Sequence, residues 1–265
     1  MKKIKNFYLF LAILFFVLFS TNSISRFYPD TFYFPDGNGQ STYLKNINEL
    51  DKKYLVLIQS DFIKHANEVI SNGMLWPSRS KISYFDNWML GLLGEFDVVA
   101  TYLGMQKSDT HALRYFESTQ YERALSRKTG YCSQLALALA DILNRRYNIE
   151  THMIGLDGHV VVEAIIDNRK FILDPSVNIS FDYSLDDVSK HVVEIREKYQ
   201  LKNEKFLADF YFTPNFYQKK IGSYSYHDKQ FAFNALRFYE HLTDFLSPLI
   251  ACLLTIFFTR KYLRS

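Results

Sequence analysis

From Cys132 to Leu143 nearly every side chain is apolar or small: Leu135, Ala136, Leu137, Ala138, Leu139, Ala140, Ile142 and Leu143. A helix that is apolar on most of its faces has to be buried, so the rest of the chain must supply layers to cover it. Gly130-Tyr131 opens the run and Asn144 to Asn148 ends it. Cys132 falls in the first turn, where unpaired backbone N–H groups and the positive end of the helix dipole favour a thiolate. The same N–H groups suit the oxyanion of a tetrahedral intermediate.

Two strands are expected after this helix, His159 to Ile166 and Lys170 to Asp174, joined by Asp167-Asn168, residue types suited to a tight hairpin turn. A two-residue loop there sets Ile166 opposite Arg169 and Val161 opposite Asp174. His159 then shares the face of Val161 and lies diagonally across from Asp174, about 7–8 Å away at the backbone, within reach of an imidazole and a carboxylate. Cysteine, histidine and aspartate, each at the boundary of a regular element, make a nucleophile, a base and an orienting group. Taken singly, each has an ordinary structural use: a core thiol, a strand histidine, an Asp-Pro turn. Taken together, in that order and with compatible parity, they point to thiol catalysis.

A metal site built from Cys132, His159, Asp174 and His152 is the weaker use of the same residues, because no CxxC, HxxH or HExxH spacing accompanies them. Neither a metal nor an organic cofactor is expected. His152 is the second choice for the base. His65, His111, His191, His227 and His241 fall on predicted surfaces or helix faces, with no expected catalytic role. Asn178-Ile179-Ser180 matches a glycosylation acceptor, a short and common pattern.

The run Ala124-Leu125 to Arg127-Lys128-Thr129-Gly130-Tyr131-Cys132, the helix after it, Gly158-His159-Val160-Val161-Val162-Glu163 and Phe171-Ile172-Leu173-Asp174-Pro175 together resemble the transglutaminase-like superfamily of papain-fold cysteine enzymes. The resemblance covers about fifty residues. It implies Cys132 as nucleophile, His159 as general base and acid, and Asp174 as the orienting carboxylate. It also implies an α+β fold with the cysteine at the N-terminus of a helix packed on an antiparallel sheet. One departure is the absence of the tryptophan that often follows the histidine region or precedes the aspartate; Val161, Val162 and Ile172 stand in those places. For a side-chain oxyanion donor the candidates are Trp76, Gln120 and Gln134, with core packing the better use of Trp76.

Both ends of the chain are apolar. Lys2, Lys3 and Lys5 precede an apolar run from Phe7 to Phe19 that turns polar at Ser20-Thr21-Asn22-Ser23. This is a signal-peptide layout without an Ala-x-Ala-like site, so an uncleaved signal anchor over 1–25 is expected. At the other end an apolar segment over 242–262 reaches the spanning length of about 20 residues and is closed by Arg260, Lys261 and Arg264. The cations of both segments face the chain ends, so the positive-inside rule places both termini in the cytoplasm and the middle outside. Removing those six cations from the formal charge of +3 leaves about −3 for the middle, which disfavours nucleic acid as a partner. Cys132 and Cys252 are the two cysteines, and Cys252 lies inside the C-terminal apolar segment, so no disulfide framework is expected. Aromatic residues, 17% of the chain, suit a packed domain whose surface meets lipid or an extended ligand.

Residues 26–43 mix turn residues with aromatics and read as a linker, leaving 44–238 as the transglutaminase-like domain. Within it, apolar spacing predicts one helix from Asn46 to Ser71 stopped by Asn72-Gly73, a second from Ser83 to Tyr102, a third from a Ser108-Asp109-Thr110 cap towards Leu125, and one from Leu185 through Val188, Val192, Val193 and Ile195. The aromatic-rich segments after Lys202 have no assignable pattern. The expected activity is an acyl-enzyme on Cys132 that cleaves or transfers an amide of a protein or peptide substrate, with hydrolysis favoured. The alternative is a membrane-tethered scaffold that binds peptide or glycan without chemistry. A membrane-protein partner held by the apolar ends fits either use.

Overall fold

The computed structural model describes residues 2–27, 39–74, 88–89, 92, 121–127, 130–156, 158–212, 223–225 and 230–264. In chain order they form α1 (Lys2–Phe27), α2 (Gly39–Tyr54), α3 (Gln59–Gly73), α4 (Tyr121–Arg127), α5 (Cys132–Tyr147), β1 (Glu150–Leu156), β2 (His159–Ile166), β3 (Arg169–Asp174), β4 (Ile179–Phe181), α6 (Val192–Leu201), α7 (Lys205–Asp209), β5 (Ser223–Ser225) and α8 (Gln230–Arg264). Short 3-10 turns cover Leu185–Lys190 and Phe210–Phe212. The fold is α+β, and these residues divide into two units. One holds the sheet with α2 to α7; the other holds α1 and most of α8.

Among the described residues the strands form one antiparallel sheet in the order β4-β3-β2-β1-β5. Asp167 and Asn168 both take positive φ, 50° and 61°, the pairing a two-residue type I′ turn requires. That turn sets Ile166 opposite Arg169 and Val162 opposite Leu173. The sheet separates two apolar cores. On one face Val162, Ala164, Ile166, Phe171 and Leu173 pack with α5 and residues of α2, α3 and α4. On the other, Ile154, Val161, Ile172 and Phe181 pack with Val188, Ile195, Tyr199, Leu207 and Tyr211 from the segment that follows β4. Coverage on both faces explains why β2 is apolar almost throughout instead of alternating.

Helix α5 is the buried element its composition predicts: Leu135, Leu139, Ile142 and Leu143 are inaccessible, each burial worth about 1.5–3 kcal/mol. Its one buried carboxylate, Asp141, is met by Arg145 through Nε and Nη2, both at 2.8 Å, and by the backbone N–H of Tyr121 at 2.9 Å. This last bond ties α4 to α5. Asn148 ends the helix in the left-handed region, its N–H donating to Asn144 O.

Several expectations are corrected. The single helix from Asn46 to Ser71 is two helices, because the chain turns at Leu55–Ile58, where the N–H groups of Val56 and Leu57 both reach back to Lys53 O. Apolar spacing persists across that break, so periodicity alone joins the two. Residues 39–43, read as linker, already belong to α2. The helix expected from Leu185 is a 3-10 turn followed by α6, with Val193 exposed and Ile195 and Tyr199 facing inward. The segments after Lys202 contain α7 and a 3-10 turn. The helix proposed from the Ser108 cap is described only at α4. Of the one over Ser83–Tyr102 only Trp88, Met89 and Leu92 are described, all helical.

In the second unit, α1 and α8 lie antiparallel. Lys5 Nζ sits 5.0 Å over the Tyr262 ring, and Phe15 stacks on Phe258 at 5.8 Å. Lys3–Thr21 and His241–Arg264 are each long and apolar enough to cross a membrane. Pro248 interrupts the α8 hydrogen-bond ladder, and beside it Trp88 Nε1 donates to Ser247 O at 3.0 Å.

Candidate functional site

The site forms where the start of α5, the start of β2 and the end of β3 meet. Gly130 precedes the helix because nothing larger fits: an added Cβ would lie 2.8 Å from Gln134 Cβ and 2.9 Å from Leu135 Cδ1. Tyr131 then enters in extended conformation without capping the helix through its side chain. The first-turn N–H groups therefore stay beside Cys132, which is half-buried, next to a partly exposed Tyr131.

His159 and Asp174 occupy the diagonal positions that the hairpin register sets, and their side chains meet: His159 Nε2 is 2.7 Å from Asp174 Oδ2. Both are fully buried. With Nε2 engaged by Asp174, Nδ1 is the ring nitrogen left for another partner, and Cys132 is close enough to act on the imidazole. Burial, the largest influence on the imidazole, lowers its pKa. The charge and hydrogen bond of Asp174, then the hydrogen bond and charge of Cys132, outweigh it and raise the value from 6.5 to about 10. The ring therefore holds its proton at neutral pH.

Six further contacts shape the site, and none is evident from the sequence pattern. Tyr199 donates from its hydroxyl to Asp174 Oδ2 at 2.6 Å, and the Tyr211 hydroxyl lies 3.2 Å from that of Tyr199. Ser176 N–H donates to Asp174 Oδ1 at 3.0 Å. The buried Asn67 amide on α3 reaches Ile179 O at 3.2 Å and Asn178 Oδ1 at 3.3 Å, bracing the turn after Asp174 and directing the Asn178 side chain inward. Phe210 stacks on His159 at 6.0 Å, over Gly158, whose φ of +92° strains any side chain and where an added Cβ would lie 3.3 Å from the Phe210 ring. The one available sequence signal for Tyr199 is its spacing from Ile195, which puts a hydroxyl on the buried face of α6, where it needs a partner.

The remaining candidates are placed elsewhere. His152 Nε2 lies 3.2 Å from Glu150 Oε1 on β1, and its Nδ1 lies 3.7 Å from Glu163 Oε2 on β2. His65 lies between Glu49 and Glu68, and His191 stacks on Tyr183. Gln134 is buried in the first turn of α5, its stem against Gly130. Trp76, Gln120, His111 and His227 fall outside the described residues. Among the described residues no group of three His, Cys, Asp or Glu is arranged to hold a metal ion. A cavity of about 430 Å³ between Leu57–Ser60 and the Ile166–Phe171 turn is at the far end of the hairpin and contains none of the triad. No protein-family model matches the chain, and neither a curated protein nor a solved structure does.

Proposed function

We propose that this chain is a membrane-anchored thiol enzyme of the transglutaminase-like, papain-fold type that cleaves or transfers amide bonds. The observation that carries this reading is His159 held between Asp174 and Cys132, with the cysteine in the first turn of α5. In the reaction, the Cys132 thiolate attacks the carbonyl carbon of an amide and a C–S bond forms. The first-turn N–H groups stabilise the oxyanion. Protonated His159 gives its proton to the departing amine as the C–N bond breaks, leaving an acyl-enzyme and a neutral imidazole. His159 then takes a proton from the second nucleophile, water or an amine, as it attacks the thioester; the C–S bond breaks with the sulfur leaving as thiolate, and the thiolate–imidazolium pair is restored. Asp174 keeps the ring oriented and its cationic form stabilised throughout.

Water as the second nucleophile makes the protein a peptidase or amidase; an amine makes it a transglutaminase. Hydrolysis is the favoured outcome because water is always present. The substrate class is a protein or peptide carrying an accessible amide, and a membrane-protein partner fits the apolar ends. The cationic flanks of both candidate spans support a topology with cytoplasmic termini and an extracytoplasmic catalytic unit. The test is turnover of a fluorogenic peptide-amide library, with and without an added primary amine, by the wild type and by Cys132→Ala. Cysteine-dependent release of the amine supports the reading. Release that survives Cys132→Ala refutes it, and a library left uncleaved by a protein whose Cys132 is unreactive favours the scaffold alternative.

A further inference from the structure

The carboxylate of Asp174 is fully buried, and among the described residues its charged partner is His159 alone. Its second oxygen receives two donors at once, His159 Nε2 at 2.7 Å and Tyr199 OH at 2.6 Å, while Ser176 N–H holds the first at 3.0 Å. The group cannot turn about its C–C bond without losing all three. Tyr199 has one hydroxyl proton, and giving it to Asp174 leaves its oxygen to accept from Tyr211 OH, 3.2 Å away. The donor direction is thereby set.

Tyr199 carries its hydroxyl to Asp174, and Tyr211 carries its own to Tyr199. Both are inaccessible in a core of Ile195, Phe181, Leu207 and Ala208, where phenylalanine would pack as well and bury no polar atom. Helix α6, which carries Tyr199, is pinned to the sheet by Lys198 Nζ donating to Ser180 O at 2.9 Å. The hydroxyl thus arrives at the carboxylate on a fixed element.

We infer that Tyr199 is a positioning residue for the thiol chemistry: its hydroxyl, oriented by Tyr211, holds Asp174 Oδ2 in the place that fixes His159 towards Cys132. The inference rests on the thiol-enzyme reading. It adds the layer on the far side of the sheet to the apparatus of the site, so α6 acts on Cys132 through two intermediaries, Asp174 and His159.

The experiment measures Cys132 alkylation by iodoacetamide against pH in the full-length, detergent-solubilised protein. Wild type, Tyr199→Phe, Asp174→Asn, the double variant and His159→Ala are compared, each checked for cooperative thermal unfolding. Tyr199→Phe is expected to slow alkylation at neutral pH by about tenfold and to move the acid midpoint up by about one pH unit, the effect of one hydrogen bond to a charged group. In the Asp174→Asn background the same substitution is expected to cost less than about twofold, since a residue acting through Asp174 has nothing left to act on. A folded Tyr199→Phe protein with the wild-type profile overturns the inference, as does an equal loss in both backgrounds. If Tyr199→Phe does not fold, Tyr211→Phe decides in the same two backgrounds: a loss of about threefold confined to the Asp174 background supports the inference, and no loss or an equal one overturns it. Slow, His159-independent alkylation of the wild type instead removes the thiol-enzyme reading itself.

Discussion

At the scale of the residue, the site depends on a histidine whose burial and whose neighbours oppose each other. Burial disfavours its charge, yet Asp174 and Cys132 raise its pKa to about 10. A folded-state value above the ordinary 6.5 means that the ion pair contributes its full stability below about pH 6.5 and loses it as pH rises through about 10. Burial first, and then the charge of Asp174, push the Tyr199 and Tyr211 hydroxyls well above their ordinary range, so they add to the same alkaline loss at still higher pH. Thermal unfolding is therefore expected to fall in midpoint from about pH 7 to 10. Asp174→Asn should lower the midpoint at pH 7 and flatten that fall, and an unchanged slope in the variant would contradict the assignment. For turnover, Cys132→Ser is expected to lose at least about a thousandfold, because the serine hydroxyl lacks the acidity that the imidazole partner exploits.

Elements carry the next level. Gly130 lies just before α5, and an alanine there meets Gln134 and Leu135 at under 3.0 Å, one of the contacts being the Gln134 Cβ, which cannot swing away. Gly130→Ala is expected to destabilise by about 1–3 kcal/mol and to slow alkylation of Cys132 by displacing the first turn. Denaturant unfolding and labelling of the same sample check both. The β2–β3 hairpin was legible in the sequence because a two-residue turn leaves only one register, and that register alone puts His159 diagonal to Asp174. Helix α5 was legible because its composition leaves it no exposed face. Strand β1 was less so, since Glu150, Thr151 and His152 hide its apolar half, and β4 and β5 are three residues each, too short for a period to register. The Tyr199–Tyr211 layer was not legible at all: it joins an α-helix and a 3-10 turn to a strand by hydroxyl contacts that leave no periodic trace. The same limit applies to Asn67, whose contacts at Asn178 and Ile179 span more than a hundred residues.

At the scale of the whole molecule, the antiparallel pairing of α1 and α8 sets both chain ends on the same side of their unit. With Lys3–Thr21 and His241–Arg264 as spans, fusions of a compartment-sensitive reporter at the two termini are expected to report one compartment, and a reporter inserted in the sheet-bearing unit the other. Opposite readings from the two termini would contradict the paired-helix topology. Ala12 of α1 and Ala251 of α8 are both buried, small residues of the kind that let spanning helices approach closely.

The central claim is that His159, oriented by Asp174, activates Cys132, and the most direct test is the rate of iodoacetamide labelling of Cys132 at about pH 6.5 in wild type, His159→Ala and Asp174→Asn, with the modified residue mapped by mass and Cys252 followed as the internal comparison. The account predicts rapid wild-type labelling at Cys132, at least about tenfold faster than in His159→Ala, with Asp174→Asn between them. Labelling of Cys132 that is slow in wild type and unchanged by His159→Ala would contradict it.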